Sequence, residues 1–169
     1  MTTRVKTYCY ARKRQEWEIP WVRIEALAKL ALPKPVVLVN GAFDLIHSGH
    51  LKILAAARER AGDGTVVLAL DSDRKVSAAK GPGRPILSAV ERSVALGYFP
   101  IDYLVEIDSD EDMWKLMTLV KPNLRVQGEE YKDHKTRFPK VPRCFVADRG
   151  IHTSEIIRRI VEDNIQQRD

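Results

Sequence analysis

VVLVNGAFDLIHSGH, residues 36–50, joins two patterns that packing alone does not bring together. Val36 to Val39 is an unbroken β-branched and aliphatic run, as expected of a strand covered on both faces. Asn40-Gly41 then turns the chain, and Gly41 permits a tight bend and close backbone approach. Ser48 is the expected N-cap of a helix that continues through the alanine-rich Leu51 to Ala61 and ends near Gly62. Gly49 and His50 would then lie in its first turn. There, free N–H groups and the positive end of the helix dipole attract phosphate. His47 lies just before the cap, so both imidazoles can face one bound anion and donate hydrogen bonds to its oxygens. This is not a Walker loop, because no Gly-Lys-Ser/Thr follows the turn. Nor is it the dinucleotide fingerprint, whose glycine spacing differs. A zinc site at His47 and His50 lacks a third ligand nearby.

Outward from this stretch the chain alternates. Trp21 to Leu30 carries apolar residues at helical spacing and is stopped by Pro33 and Pro35. Thr65 to Leu70 reads as a second buried strand, and Asp71-Ser72-Asp73 sits where a strand would turn into a helix. Lys80-Gly81-Pro82-Gly83-Arg84-Pro85 is a loop. Ser88 and Glu91 form the pattern of a capping box opening a helix through Leu96. Strands follow at Tyr103 to Val105, Leu124 to Gln127 and Arg143 to Val146, with a helix from Glu111 to Val120. Thr153 or Ser154 caps a last helix running through Val161. This alternation implies an α/β fold: a Rossmann-like three-layer α/β/α sandwich around a five-stranded parallel sheet with right-handed crossovers. Ligands of such sheets lie at the carboxyl ends of the strands. The unusual segments, 41–50, 71–73, 128–131 and 149–154, each follow a strand at that end.

Composition sets the outer bounds. The 169 residues fit one domain with a sizeable core, preceded by a basic N-terminal extension over residues 1–19. Up to Ile19, Arg4, Lys6, Arg12, Lys13 and Arg14 stand against Glu16 and Glu18. That local excess of +3 accounts for most of the net charge of +5. The body, residues 20–169, is therefore not a broad nucleic-acid-binding surface, though a locally basic pocket for an anionic ligand is compatible with it. Cys9 and Cys144 have no metal-ligand spacing and fit a reducing cytoplasm. No apolar run approaches the roughly 18 residues that span a bilayer.

Gly41-Ala42-Phe43-Asp44-Leu45-Ile46-His47-Ser48-Gly49-His50 matches the GxFDxxHxGH signature of the cytidylyltransferase-like nucleotidyltransferases. The chain resembles that family from about Trp21 to Val161. The family's second signature, a Gly-Ile-Ser-Thr-Thr-like segment opening the last helix, has its counterpart in Gly150-Ile151-His152-Thr153-Ser154. The resemblance implies an enzyme that joins a phosphorylated compound to a nucleoside triphosphate, ATP or CTP, and releases pyrophosphate. Mg²⁺ would be bound through the triphosphate and not by protein alone. His47, His50, Lys80 and Arg92 would carry catalysis, with Lys80 and Arg92 holding phosphate. Gly41, Ala42, Phe43, Asp44, Gly49, Gly128, Glu129, Gly150, Ile151, Thr153 and Ser154 would line the nucleotide. Asp71, Asp73, Arg84 and Glu130 would meet the acceptor, a sugar or polyol phosphate. A homodimer is a family-level expectation.

Subfamily signals divide. Lys80 to Pro85 looks most like the bacterial heptose 1-phosphate adenylyltransferases, although that group more often has lysine where Gln127 stands. Gly128-Glu129-Glu130-Tyr131 is equally similar to the Met-Gly-Asp-Asp-Trp segment of glycerol-3-phosphate cytidylyltransferases. Those enzymes carry an arginine where Ala147 aligns, and His152 replaces the usual serine. A nucleotide-binding module without turnover is the opposing reading. The presence of both histidines, Lys80 and Thr153 weighs against it.

Overall fold

The computed structural model describes residues 21–147 and 152–166. The central strands are β1 (Val36–Gly41) and β2 (Thr65–Asp71). Their buried runs leave no face for solvent, which selects a doubly covered parallel sheet. Flanking them are β3 (Tyr103–Ile107), β4 (Leu124–Gly128) and β5 (Arg143–Val146). The spatial order is β3-β2-β1-β4-β5 and every pairing is parallel. The chain moves outward one way from β1 to β3, then returns to lay β4 on β1's other side. In sheets of this kind ligands bind in a crevice at such a reversal, here above the carboxyl ends of β1 and β4.

Alternate residues supply two cores. Val37, Val39, Val66, Leu68 and Leu70 pack under α2 (Ser48–Ala61) and α4 (Ala89–Leu96). Val36, Leu38, Val67, Ala69, Val105 and Ile107 pack under α1 (Ile24–Leu27) and α5 (Asp110–Val120). The remaining helices are α3 (Asp73–Lys80) and α6 (Thr153–Gln166). Among the described residues no helix is long and apolar enough to cross a membrane.

Several boundaries differ from the sequence pattern. The helix expected over Trp21–Leu30 shrinks to α1. Trp21 bridges the outer edge of β3 at Leu104, and the N–H of Val22 donates to Leu104 O at 2.9 Å. An open sheet edge outcompetes the first helical turn. Lys80, expected in the loop, is the last residue of α3, whose N-cap Ser72 accepts the N–H of Lys75. The Ser88–Glu91 capping box forms as expected, and the same device recurs at Ser109 and Asp112.

Gly64 fixes how β2 starts against the entry to β1. A Cβ there would lie 2.7 Å from Pro35 N, 2.8 Å from Ala61 O and closer still to Pro35 O. All three are backbone atoms that cannot swing away. The Gly64→Ala variant should lose about 2 kcal/mol or more of stability, in the upper part of the range for single substitutions. The midpoint and slope of urea unfolding measure it; an unchanged midpoint would show that the turn relaxes freely.

Candidate active site

The loop between β1 and α2 takes an unfavourable backbone path. Phe43 (φ 51°) and Leu45 (φ 45°) are both left-handed, on either side of Asp44. Non-glycine residues adopt that conformation only when their surroundings impose it. Phe43 is buried in the α2-side core and its ring lies 4.9 Å from that of His50. Asp44, 1% exposed, accepts from the N–H of Ile86 (2.9 Å), the N–H of Leu87 (3.0 Å) and Arg84 Nε (2.9 Å). Its carbonyl accepts from the Thr153 hydroxyl at 2.7 Å. Two segments distant in sequence, 84–87 and the start of α6, are thus tied to one aspartate. Burial alone would raise its pKa, but the Ile86 and Leu87 amides and Arg84 outweigh burial and hold it below the ordinary carboxylate value.

The N-terminus of α2 is capped by imidazole and not, as the pattern suggested, by Ser48. His47 is the N-cap, in extended backbone, and its Nδ1 accepts the N–H of Gly49 at 3.2 Å. The N–H of His47 donates in turn to His50 Nδ1 at 3.4 Å. A ring nitrogen accepting a backbone N–H cannot also carry a proton, so each neutral ring holds its proton on Nε2. The rings stack with centroids 3.9 Å apart and planes 33° apart. Two N–H donors are thereby turned away from the capped amides, side by side at the positive end of a helix. His152 stands edge-on to His47, with ring centroids 6.1 Å apart.

Cations gather around this turn in two different ways. Lys80 is exposed at the end of α3. Burial of its amine and the Arg84 charge lower its pKa, against the opposing pull of Asp44 and Asp71. A bound anion would relieve that penalty. Arg92 does the reverse of what its expected place among the phosphate ligands requires. It is neither a surface charge nor turned toward the crevice, but 0% exposed. Its Nε donates to Leu87 O at 3.0 Å, and Nη1 donates to Ala42 O and to Asp71 O, the latter at 2.9 Å. Nη2 pairs with Asp73 Oδ1 at 2.7 Å. Arg92 therefore pins the β1 loop to the carboxyl end of β2.

Other expected site residues are placed as follows. Asp71 pairs with Lys75 at 2.8 Å and Asp73 with Arg92, so each carboxylate faces a basic group. The Asp44 carboxylate faces Arg84 and backbone amides, and the Thr153 hydroxyl is spent on the same loop, so both brace the site from behind. Gly41, Ala42 and Gly49 lie along the turn, and Ser154 is exposed in the first turn of α6. Gly128 ends β4, and Glu129–Tyr131 form a 3₁₀ turn. A Cβ on Gly128 would overlap the Glu130 carboxylate, which folds back over the strand end. Tyr131 has its phenol pKa raised, by burial first and then by Glu130 and Asp71. Gly150 and Ile151 lie outside the described residues. Arg125 was not singled out by the sequence pattern; its available signal was a charge inside a five-residue strand.

Two predictions follow from these contacts. The folded pKa of Asp44 lies below its unfolded value of about 3.9. Its contribution is therefore complete above that value and lost as pH falls through the folded pKa. Urea unfolding from pH 7 to pH 3 should show Asp44→Asn already destabilised at neutral pH and less sensitive to acid than the parent; parallel curves would rule this out. Arg92→Ala should cost about 2–4 kcal/mol through unpaired buried carbonyls. Arg92→Lys should not restore it, because lysine lacks the planar fork. Thermal unfolding of the three proteins is the measurement.

A model of the cytidylyltransferase-like family matches residues 38–131, from β1 through the turn after β4. Bifunctional protein HldE of Campylobacter concisus is 40% identical over 131 residues, covering 75% of this chain and 27% of that protein. Bifunctional protein HldE of Syntrophotalea carbinolica is 43% identical over 99 residues, covering 58% and 20%. The chain thus spans about a quarter or less of the length of these curated relatives. The crystal structure of the lipopolysaccharide core biosynthesis protein of Thermoplasma volcanium aligns with a TM-score of 0.53 at 18% identity. It covers 69% of this chain and 98% of that one, a likeness of fold. With more than half of its length under one family model, imidazole-capped turn included, the chain belongs to the cytidylyltransferase-like family of nucleotidyltransferases.

Proposed function

We propose that this chain transfers an adenylyl group from ATP to a sugar phosphate and releases pyrophosphate, in the manner of a heptose 1-phosphate adenylyltransferase. The observation that carries the reading is the pair of imidazoles stacked at the N-terminus of α2, each with Nδ1 engaged by a backbone N–H. An acceptor phosphate oxygen attacks the α-phosphorus, the bond from that phosphorus to the bridging oxygen of the β-phosphate breaks, and pyrophosphate leaves with the electron pair. No covalent enzyme intermediate is needed. The two imidazoles, at the positive end of α2, bind the triphosphate oxygens on which charge grows. Lys80 neutralises the acceptor phosphate or the α-phosphate, while Arg92, Asp44 and Arg84 keep the loops in register.

Mg²⁺ is proposed to enter on the triphosphate, where it would neutralise phosphate oxygens while keeping several waters. Phosphate oxygen is the donor that fits: Nδ1 of each histidine already accepts a backbone N–H, and Asp44 is enclosed. The acidic turn Glu129-Glu130 supports a second reading, CTP with a polyol phosphate. Action in the cytoplasm, a homodimer and a dispensable basic extension over residues 1–19, which lies outside the described residues, complete the proposal.

The test is pyrophosphate release with Mg²⁺, either ATP or CTP, and a panel of sugar and polyol phosphates. ATP with a sugar phosphate should be the fastest pair. Tight nucleotide binding with no turnover on any pair would instead favour a binding module. His50→Ala should lower kcat by about 10²–10³-fold, the usual effect of deleting one charge-stabilising donor. His47→Asn keeps an N-cap acceptor and loses the Nε2–H, so it should fold normally and be comparably slow. Unimpaired turnover in both variants would remove the imidazoles from the mechanism.

A further inference from the structure

Arg125 lies inside β4 and is 8% exposed. It pairs in register with Leu38 of β1, yet its side chain runs up the sheet, where Nη2 donates to Asn40 Oδ1 at 2.9 Å. Asn40 immediately precedes Gly41, so the guanidinium sits at the switch point, just below the crevice. Phe138 lies beside it, with Cζ 5.7 Å from the ring centroid. Among the described residues Nε has no hydrogen-bond partner, and neither does Oε1 of Gln127, the next residue on the same face of β4. No carboxylate among the described residues pairs with this arginine. Burial and the nearby Arg143 charge both work against its charged form.

A desolvated cation without a counter-charge is costly, and proteins rarely keep one that has no anion to meet. Arg58, Arg84 and Arg92, the other well-buried arginines, each have an aspartate. Asn40, Gln127 and Phe138 around Arg125 are only half-buried, so the group lies beneath a polar rim and is not sealed off. Its face of the sheet also matters. Val126 packs with the α2-side core, whereas Arg125 contacts Phe138, which packs with the α5-side core. Displacement at phosphorus proceeds with attacking and leaving oxygens roughly in line. If the leaving pyrophosphate lies against the histidines of α2, the acceptor arrives from the far side of β1's carboxyl end.

We propose that Arg125, with Asn40 and Gln127, forms an oxyanion subsite that binds the phosphate of the acceptor on the α5 face of the crevice. This deepens the transferase reading above and rests on it. Arg125 is then a binding and specificity residue: its planar fork suits a phosphate monoester and complements the point charge of Lys80.

Two measurements test it. In steady-state kinetics with the fastest sugar phosphate of the panel, Arg125→Gln should raise the acceptor KM about 10- to 100-fold, the worth of a charge-assisted hydrogen bond. The nucleotide KM should stay within about twofold, and Arg125→Lys should fall in between. A rise confined to the nucleotide KM would assign the subsite to the triphosphate and overturn the proposal. The second measurement needs no turnover, so it survives failure of the transferase reading. In a His47→Asn background, which weakens the triphosphate end, inorganic phosphate should still raise the unfolding temperature, and adding Arg125→Gln should abolish that rise. An equal rise with and without Arg125, or a lower ligand-free unfolding temperature with both KM values unchanged, would mark Arg125 as purely structural.

Discussion

Asp44 sits between two left-handed residues, and its charge keeps them there. Each such residue costs on the order of 1–3 kcal/mol. Hydrogen bonds to a buried charge, each worth about 1.5–3 kcal/mol, are the kind of interaction that can hold them. The amides of Ile86 and Leu87 and the Arg84 guanidinium all end on this one carboxylate, and Thr153 reaches the carbonyl behind it. Without that convergence the chain has no reason to turn at Phe43 and Leu45, and His47 would not arrive at the start of α2 in extended backbone.

The sheet divides the work by face. On one side α2 presents stacked imidazoles at its capped N-terminus. On the other, Arg125 rises from β4 beneath Asn40. Between them Arg92 holds the β1 loop to the end of β2 through backbone carbonyls, a task for a group with several donors in one plane. Buried arginines thus serve opposite ends here: Arg92 is saturated by protein and rigid, whereas Arg125 is held by one amide oxygen and an aromatic ring.

The central strands were legible because each carries its own signal. Continuous aliphatic runs gave β1 and β2, and Ser88 with Glu91 gave the start of α4. The turn after β1, the two histidines and the family were also readable, since the motif is contiguous. What escaped depends on partners that no single residue's local preference reveals. Arg92 looks like any helical charge until Ala42, Asp71 and Asp73 are seen around it. Ser48 is a better cap than His47 by local preference, and only the reciprocal bond with His50 reverses the order. Trp21 leaves its helix for an edge of β3 that lies some eighty residues away. Arg125 is ordinary in a list and unusual only once its strand is known to be buried.

The carboxylate of Glu130 lies folded over Gly128, on the side where a Cβ would otherwise project. Together with Glu129 it makes one lip of the crevice acidic, while the other lip carries the two imidazoles. Under the proposed transferase reading, an elongated molecule with a charged tail and a neutral head would enter in a single polarity: tail toward the histidines, head toward the glutamates. Selection of the correct end would then precede any reading of the base itself, with repulsion opposing a ligand presented backwards.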